Sequence, residues 1–414
     1  MLHTARVPVP GSTARRARSA VAALFFTNGA LYANVVPRYP ELKGDLELSN
    51  AAFGSAVAAY GLGALALGLL GGVMVGRWGS VRVAPLSVLA TCVNLVLLGV
   101  APSWLALAAV LFVAGALDSI ADTAENAHGL RVERLYGRSI LNSMHGVWSI
   151  GAVAGGSMGA AAIALGLPLV WHLSIAAALF AAVAVGASRF LLPGLDDTER
   201  IASGEGTVGR LPRIGRARIA RSVAALGLIA AMAQVMEDST ATWGAVYLRD
   251  DLGAAAAVGG LGFIALQAMQ TVGRLIGDRV VTRYGDRAVA RAGAALAGCA
   301  MAGALAVPGT ATTVLAFGAV GLGIGTLIPG SLRAADEIPG LPRGIGLGLV
   351  GLVPRLAILA APALVGVMAD AYSLRAALLV IPSASVVILL LARALPSGRT
   401  ASVPIRRRRL HGRP

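Results

Sequence analysis

Long apolar runs recur along the 414-residue chain, separated by short polar stretches. A helix rises 1.5 Å per residue, so about 20 predominantly apolar residues cross the hydrocarbon core of a bilayer. Twelve runs meet that length: residues 18–36, 51–74, 82–101, 103–129, 138–165, 169–192, 219–247, 255–277, 287–307, 310–331, 344–368 and 372–394. Turn residues mark several boundaries, such as Ala101-Pro102-Ser103, Gly166-Leu167-Pro168 and Pro308-Gly309. The pattern predicts an all-α, polytopic membrane protein with twelve transmembrane helices.

Composition agrees. The chain is 57% hydrophobic and 13% charged, with mean hydropathy +0.76, whereas soluble domains carry about twice that share of charge. Glycine is abundant (53 residues) and aromatics are few, the mixture that lets helix backbones approach closely within a membrane. Net charge is +15, and all basic residues but Lys43 are arginine. Of these, 29 fall in segments that share one side if the N-terminus is cytoplasmic; Arg38, Lys43, Arg249 and Arg375 fall on the other side. The positive-inside rule then places both termini in the cytoplasm. The same distribution argues against nucleic-acid binding, which needs a basic platform with stacking aromatics. The basic run Arg406–Arg409 fits the inside bias and suits anionic lipid headgroups. MLHTARVPVPGSTARRAR reads as a cytoplasmic tail before the first helix rather than a cleaved signal. Cys92 and Cys299 sit in apolar runs as small hydrophobes, and nothing suggests a metal or cofactor.

The chain also divides and repeats. A polar, Gly-rich, charged stretch (193–218) predicts a cytoplasmic linker. It separates an N-terminal six-helix half (1–192, with a tail 1–17) from a C-terminal half (219–394) and a basic tail (395–414). GRWGSVRV (76–83) and TRYGDRAV (282–289) each join the second and third helices of a half, with Gly79 and Gly285 half a chain apart. Two parallel six-helix halves describe a rocker-type transporter with its site at their interface.

On these features the sequence resembles the major facilitator superfamily over nearly its full length. The resemblance implies a fold of two six-helix halves related by a pseudo-two-fold axis. The family's loop signature has the form G-x-x-x-D-R-x-G; Gly72, Arg77 and Gly79 match it, with Gly76 in place of the acid. Arg274, Asp278 and Arg279 of the second half are expected to supply the acidic gating partner instead. A narrower likeness is to an uncharacterised bacterial branch near the fucose-permease-like members. It rests on Asp122 with Asn126, His145 with Ser149, and Glu237 with Trp243; Thr242 stands where that branch carries an acid, and Asp238 is acidic instead.

Charge inside apolar runs marks candidate function, because an ionisable side chain in hydrocarbon is costly and faces a cavity or a partner. Asp118, Asp122 and Glu125 step by four and three, which predicts one shared helix face. They are candidate proton-coupling residues together with His145, which lies about as far from the intervening turn as Asp122, roughly 15 Å. For Glu125 the alternative is a surface pairing with Arg131 or Arg134. Arg355 falls near mid-bilayer and requires an anion; Glu237 and Asp238 are the expected partners. These three, with Trp243, Asn28, Asn126 and Trp148, are the expected substrate cavity. Trp243 and Tyr247 are cavity lining or interface belt.

Two motifs are discounted. Gly155-Gly156-Ser157-Met158-Gly159 fits G-x-S-x-G, but in a small-residue run instead of a strand–turn–helix. Gly346-Leu347-Gly348-Leu349-Val350-Gly351 fits G-x-G-x-x-G without a preceding strand. The expected function is secondary active transport of a small organic solute by alternating access, coupled to protons, in a monomer. The alternatives are an uncoupled facilitative permease and a membrane enzyme using Ser157 and His145.

Overall fold

The computed structural model describes residues 11–136, 140–194, 196, 216–339, 341 and 345–397. Among the described residues, twelve spans are long and apolar enough to cross a membrane. They are α1 (Ser12–Asp45), α2 (Asn50–Trp78), α3 (Ser80–Gly99), α4 (Trp104–Tyr136), α5 (Ser143–Ala164), α6 (Leu169–Ser188), α7 (Ala217–Asp251), α8 (Ala256–Tyr284), α9 (Asp286–Ala306), α10 (Thr310–Asp336), α11 (Ile345–Ala371) and α12 (Leu374–Ala394). No strand occurs among the described residues. Twelve crossings put the start of α1 and the end of α12 on one face, termed the near face. The α1–α2 turn lies on the far face.

The helix of α1 begins at Ser12, so it reaches into the stretch expected to be tail. Its continuous part ends at Ala33; Pro37 and Pro40 then seed a 3-10 turn and a short helix, Tyr39–Asp45. Arg38, expected in an external loop, is instead buried there. It donates to Glu41 (2.6 Å) and to the Leu167 carbonyl (2.7 Å), which ties α1 to the α5–α6 turn. Of the expected linker 193–218, only its first residues and 216–218 are described, and the tail is described to 397.

Small residues set the packing within each half. A Cβ on Gly63 of α2 would lie 1.9 Å from the Phe112 carbonyl oxygen of α4, and one on Gly115 of α4 would lie 1.9 Å from that of Tyr60. No other residue permits this reciprocal approach. The second half repeats it between α8 and α10, where Gly321 meets the Leu266 carbonyl. The two basic turns are superimposable in conformation: Gly79 has φ 79° and ψ 147°, Gly285 φ 82° and ψ 154°. Each amide caps its helix by donating to a carbonyl four residues back, Val75 or Val281.

The halves meet along α2 with α11 and along α5 with α8. The tightest contacts are towards the far face. Gly54 packs against the Pro362 carbonyl, Gly366 against that of Asn50, and Gly156 against the Phe263 ring. There the Asp370 carboxylate accepts from the Asn50 and Ala51 amides at 3.0 and 2.8 Å, and Lys43 Nζ lies 3.7 Å from Asp250. Nearer the other face, Asp122 of α4, His145 of α5 and Arg355 of α11 are exposed. The far side is closed and the near side open.

Candidate functional site

A cavity of about 210 Å³ lies between the halves. The first half contributes Tyr32, Tyr60, Asp118 and Trp148; the second contributes Gln234, Glu237, Asp238 and Gln267. Glu237 and Asp238 are adjacent on α7, so their side chains diverge by about 100° and take different partners. Gln270 of α8 donates to Glu237 Oε2 at 2.8 Å, and Gln234 donates to Asp238 Oδ1 at 3.0 Å. On the other wall Asp118 interacts with Tyr60 and Asn28. Tyr32 is within electrostatic reach of both Asp118 and Asp238, so the acids of the two halves converge on one ring.

Aromatic packing fixes that ring. Tyr32 shares a 2.7 Å hydroxyl–hydroxyl hydrogen bond with Tyr39 and packs against Tyr60 with centroids 4.9 Å apart and the rings tilted by 39°. Tyr39 meets Phe53 edge-on at 5.3 Å, and Phe53 meets Trp243 edge-on at 5.7 Å. The series runs from the cavity wall of the first half to the core of α7.

A second group of charges lies nearer the open face. Asn126 donates to Asp122 Oδ1 at 2.8 Å, and Asp122 is within electrostatic reach of His145 and Arg355. Arg274 of α8 donates to Ser149 of α5 at 3.0 Å and acts electrostatically on His145. Asp122, His145, Arg274 and Arg355, from both halves, thus form a charged rim below the deeper cavity.

The structure separates several residues expected together. Glu237 and Asp238 are bonded to glutamines, and the acid within electrostatic reach of Arg355 is Asp122. Trp243 and Tyr247 are neither lining nor belt. Both are fully buried, because α7 is flanked by other helices there. Asn28 is buried behind the cavity, beside a void of about 30 Å³. The three α4 acids do not share one environment: Asp118 faces the cavity, Asp122 is exposed, and Glu125 is buried with neither oxygen hydrogen-bonded. The surface pairing of Glu125 with Arg131 is absent, since Arg131 donates to the Leu192, Pro193 and Gly194 carbonyls.

The loop residues also redistribute. Gly72 and Arg77 are exposed, and Gly79 makes the α2–α3 turn. Arg274 belongs to the rim, not to a gating loop. Asp278 and Arg279 are exposed, and the acid that pairs across the second-half turn is Asp286, with Arg333 at 3.1 Å. In the first half the acid missing at Gly76 comes from Asp196, just beyond α6. It accepts from the Ser80 amide (2.5 Å) and hydroxyl (2.8 Å), and Ser80 Oγ lies 2.9 Å from His128 Nδ1. No spacing rule connects residues 80 and 196, so the sequence could not reveal this.

Three cavity positions, Gln234, Gln267 and Tyr60, and Gln270, which holds Glu237 from α8, escaped the sequence reading. The signal was present, since an amide in an apolar run needs a polar neighbour as a carboxylate does. The enzyme alternative fails on geometry. Ser157 Oγ donates to the Val153 carbonyl at 2.8 Å, and His145 lies three helical turns away, about 18 Å. A larger groove of about 450 Å³ between α8, α9 and α10 is lined mainly by apolar residues, among them Ile276 and Leu296, and suits lipid.

Comparison with known proteins agrees with this architecture. Residues 21–247 match the family model of the Major Facilitator Superfamily. An uncharacterised transporter, y4wD, of Sinorhizobium fredii is 31% identical over 368 residues, 86% of this chain and 92% of its own. The crystal structure of the nucleoside transporter NupG aligns with TM-score 0.72 at 16% identity, covering 93% of this chain and 99% of its own. That of a D-xylose–proton symporter aligns with TM-score 0.68 at 13% identity, covering 93% and 98%. These similarities and the twelve-helix fold point to a transporter, not an enzyme, and the chain belongs to the major facilitator superfamily.

Proposed function

We propose that the protein is a secondary active transporter of a small polar organic solute, working by alternating access with protons as the coupling ion. The observation that carries the reading is the placement of the cavity. It lies between the halves, closed towards the far face by Asp370 and the Gly54–Pro362 contact and bordered towards the near face by exposed titratable groups. Rocking the halves about that level exposes it to the other side. Its volume of about 210 Å³ falls below the roughly 300–1,000 Å³ of drug-sized sites, which favours a small solute over drug export. Asp122 and His145 are the proposed coupling pair, because both are ionisable groups exposed at the rim and each lies within electrostatic reach of the other.

The arginine bias supports a cytoplasmic near face, and with it an inward-open conformation of a monomer in a bacterial inner membrane. The test is counterflow in proteoliposomes containing purified protein, using solutes identified by thermal shift. Asp122→Asn is expected to abolish proton-driven accumulation and retain exchange, since exchange moves no net proton. Unchanged accumulation in Asp122→Asn removes the coupling role. A wild type that exchanges but never accumulates its solute is an uncoupled permease.

A further inference from the structure

The chemistry of the cavity wall goes beyond a generic polar solute. Three carboxylates, Asp118, Glu237 and Asp238, border the cavity, and none of the described residues lining it is basic. The groups that hold the α7 acids are the neutral amides of Gln234 and Gln270. A neutral amide orients a carboxylate and leaves its charge uncompensated. Acceptors also go unused: Asp238 Oδ2 and Gln267 Oε1 are buried with no hydrogen-bond donor, and Gln267 is 4% exposed. Gln270 has its amide nitrogen committed to Glu237, so its own oxygen is fixed as a third buried acceptor without a donor.

A buried carboxylate without a counter-charge, or a buried acceptor without a donor, costs free energy that a suitable ligand restores. The missing partner here is a positively charged donor. Tyr32, Tyr60 and Trp148 border the same space, and aromatic faces attract cations. The basic residues that would welcome an anion, Arg274 and Arg355, sit at the rim and not in the cavity lining.

We propose that the cavity is the binding site of a small organic cation, an ammonium compound carrying further hydroxyl or amide donors. The ammonium group sits between Asp118 of one half and the Glu237–Asp238 pair of the other, with Gln234 and Gln267 reading its neutral polar groups. The available space equals about seven waters of liquid volume, which sets the scale of the solute. A cation joining acids of both halves also explains how substrate is felt by both rigid bodies that must move. The assignment rests on the transporter reading, and the experiment separates the two.

The experiment measures thermal shifts of the purified full-length protein with three series matched in skeleton and differing in charge. These are glucosamine, glucose and glucuronate; serinol, glycerol and glycerate; and putrescine, butane-1,4-diol and succinate. The expected result is a saturable rise in Tm with at least one ammonium member, half-maximal at a concentration at least tenfold below that of its neutral partner. Asp238→Asn and Glu237→Gln are expected to raise that concentration tenfold or more, while their ligand-free Tm stays within a few degrees of wild type. If either variant fails to fold, Asp118→Asn on the opposite half carries the same expectation. Equal or tighter binding of a neutral or anionic member overturns the cation assignment, as does the absence of any shift with the ammonium members. Counterflow distinguishes the readings: exchange of a neutral solute keeps the transporter and discards the cation, whereas binding of an ammonium compound without exchange does the reverse.

Discussion

Asp370, at the end of α11, caps the start of α2 across the interface of the halves, its Oδ2 accepting from the Ala51 amide at 2.8 Å. Oδ1 accepts from the Asn50 amide at 3.0 Å, so one carboxylate satisfies two free donors of a helix N-terminus and meets its positive dipole end. Ser49, the residue just before α2, caps the same turn by accepting from the Ala52 amide. Under the proposed rocking of the halves, this contact breaks when the far side opens.

Removing that carboxylate should shift the conformational balance. Loss of a helix cap costs about 1 kcal/mol, roughly a fivefold change in an equilibrium ratio. With Cys92 and Cys299 replaced, a cysteine at cavity residue Ala241 should react with an impermeant maleimide from the far side several-fold faster in Asp370→Ala than in its parent. An unchanged rate would show that Gly54, Gly366 and their carbonyl partners hold the closure alone.

The internal repeat makes a stability prediction. Gly79 and Gly285 adopt φ near +80° with extended ψ, a region open essentially to glycine. Gly79→Ala and Gly285→Ala should each destabilise by about 1–3 kcal/mol. Because they lie in different halves without a shared partner, the losses should add in the double variant. Thermal unfolding of the three variants measures this, and a strongly non-additive double would mean that the two near-face turns touch or move as one.

Glu125 is buried with both oxygens unpartnered. Glu125→Gln should raise the apparent Tm by a few degrees if the group carries a charge there, since an uncompensated buried charge is worth several kcal/mol. Calorimetry or tryptophan fluorescence would detect it. A fall in Tm would show that the carboxylate has a stabilising partner in the working protein.

Asp122 and Arg355 should be energetically coupled, and Arg355 should not be coupled to Glu237 or Asp238. Both rim groups are exposed and within electrostatic reach without an ion-pair contact, so the coupling should not exceed that of exposed ion pairs, about 0.2–1 kcal/mol. A double-mutant cycle of Asp122→Asn with Arg355→Gln, read by thermal stability, measures it. Coupling of Arg355 to an α7 acid instead would place that arginine in the deep cavity.

What the sequence made legible follows from physics that acts locally. Twenty apolar residues cross a bilayer whatever surrounds them, so all twelve spans could be read, and the turns at Gly79 and Gly285 betrayed the repeat. The candidate acids were found for the same reason, each being costly in hydrocarbon by itself. Their partners were not. Gln270 reaches Glu237 from another helix, Asp196 reaches Ser80 from beyond α6, and Arg355 comes within electrostatic reach of Asp122 across the two halves. Such pairings depend on crossing angles and depth, which a difference of one helical turn reverses. Arg355 and the α7 acids show this: they were expected to pair, and glutamines hold Glu237 and Asp238 instead.

The account stands or falls on coupling between the solute and the proton. Proteoliposomes containing purified protein and an internal pH-sensitive dye, diluted into an ammonium solute that binds, test it directly. A solute-dependent change of internal pH is expected in the wild type and its absence in Asp122→Asn, with solute exchange retained in both. Solute movement with no change of internal pH in the wild type, or an equal pH change in Asp122→Asn, would contradict it.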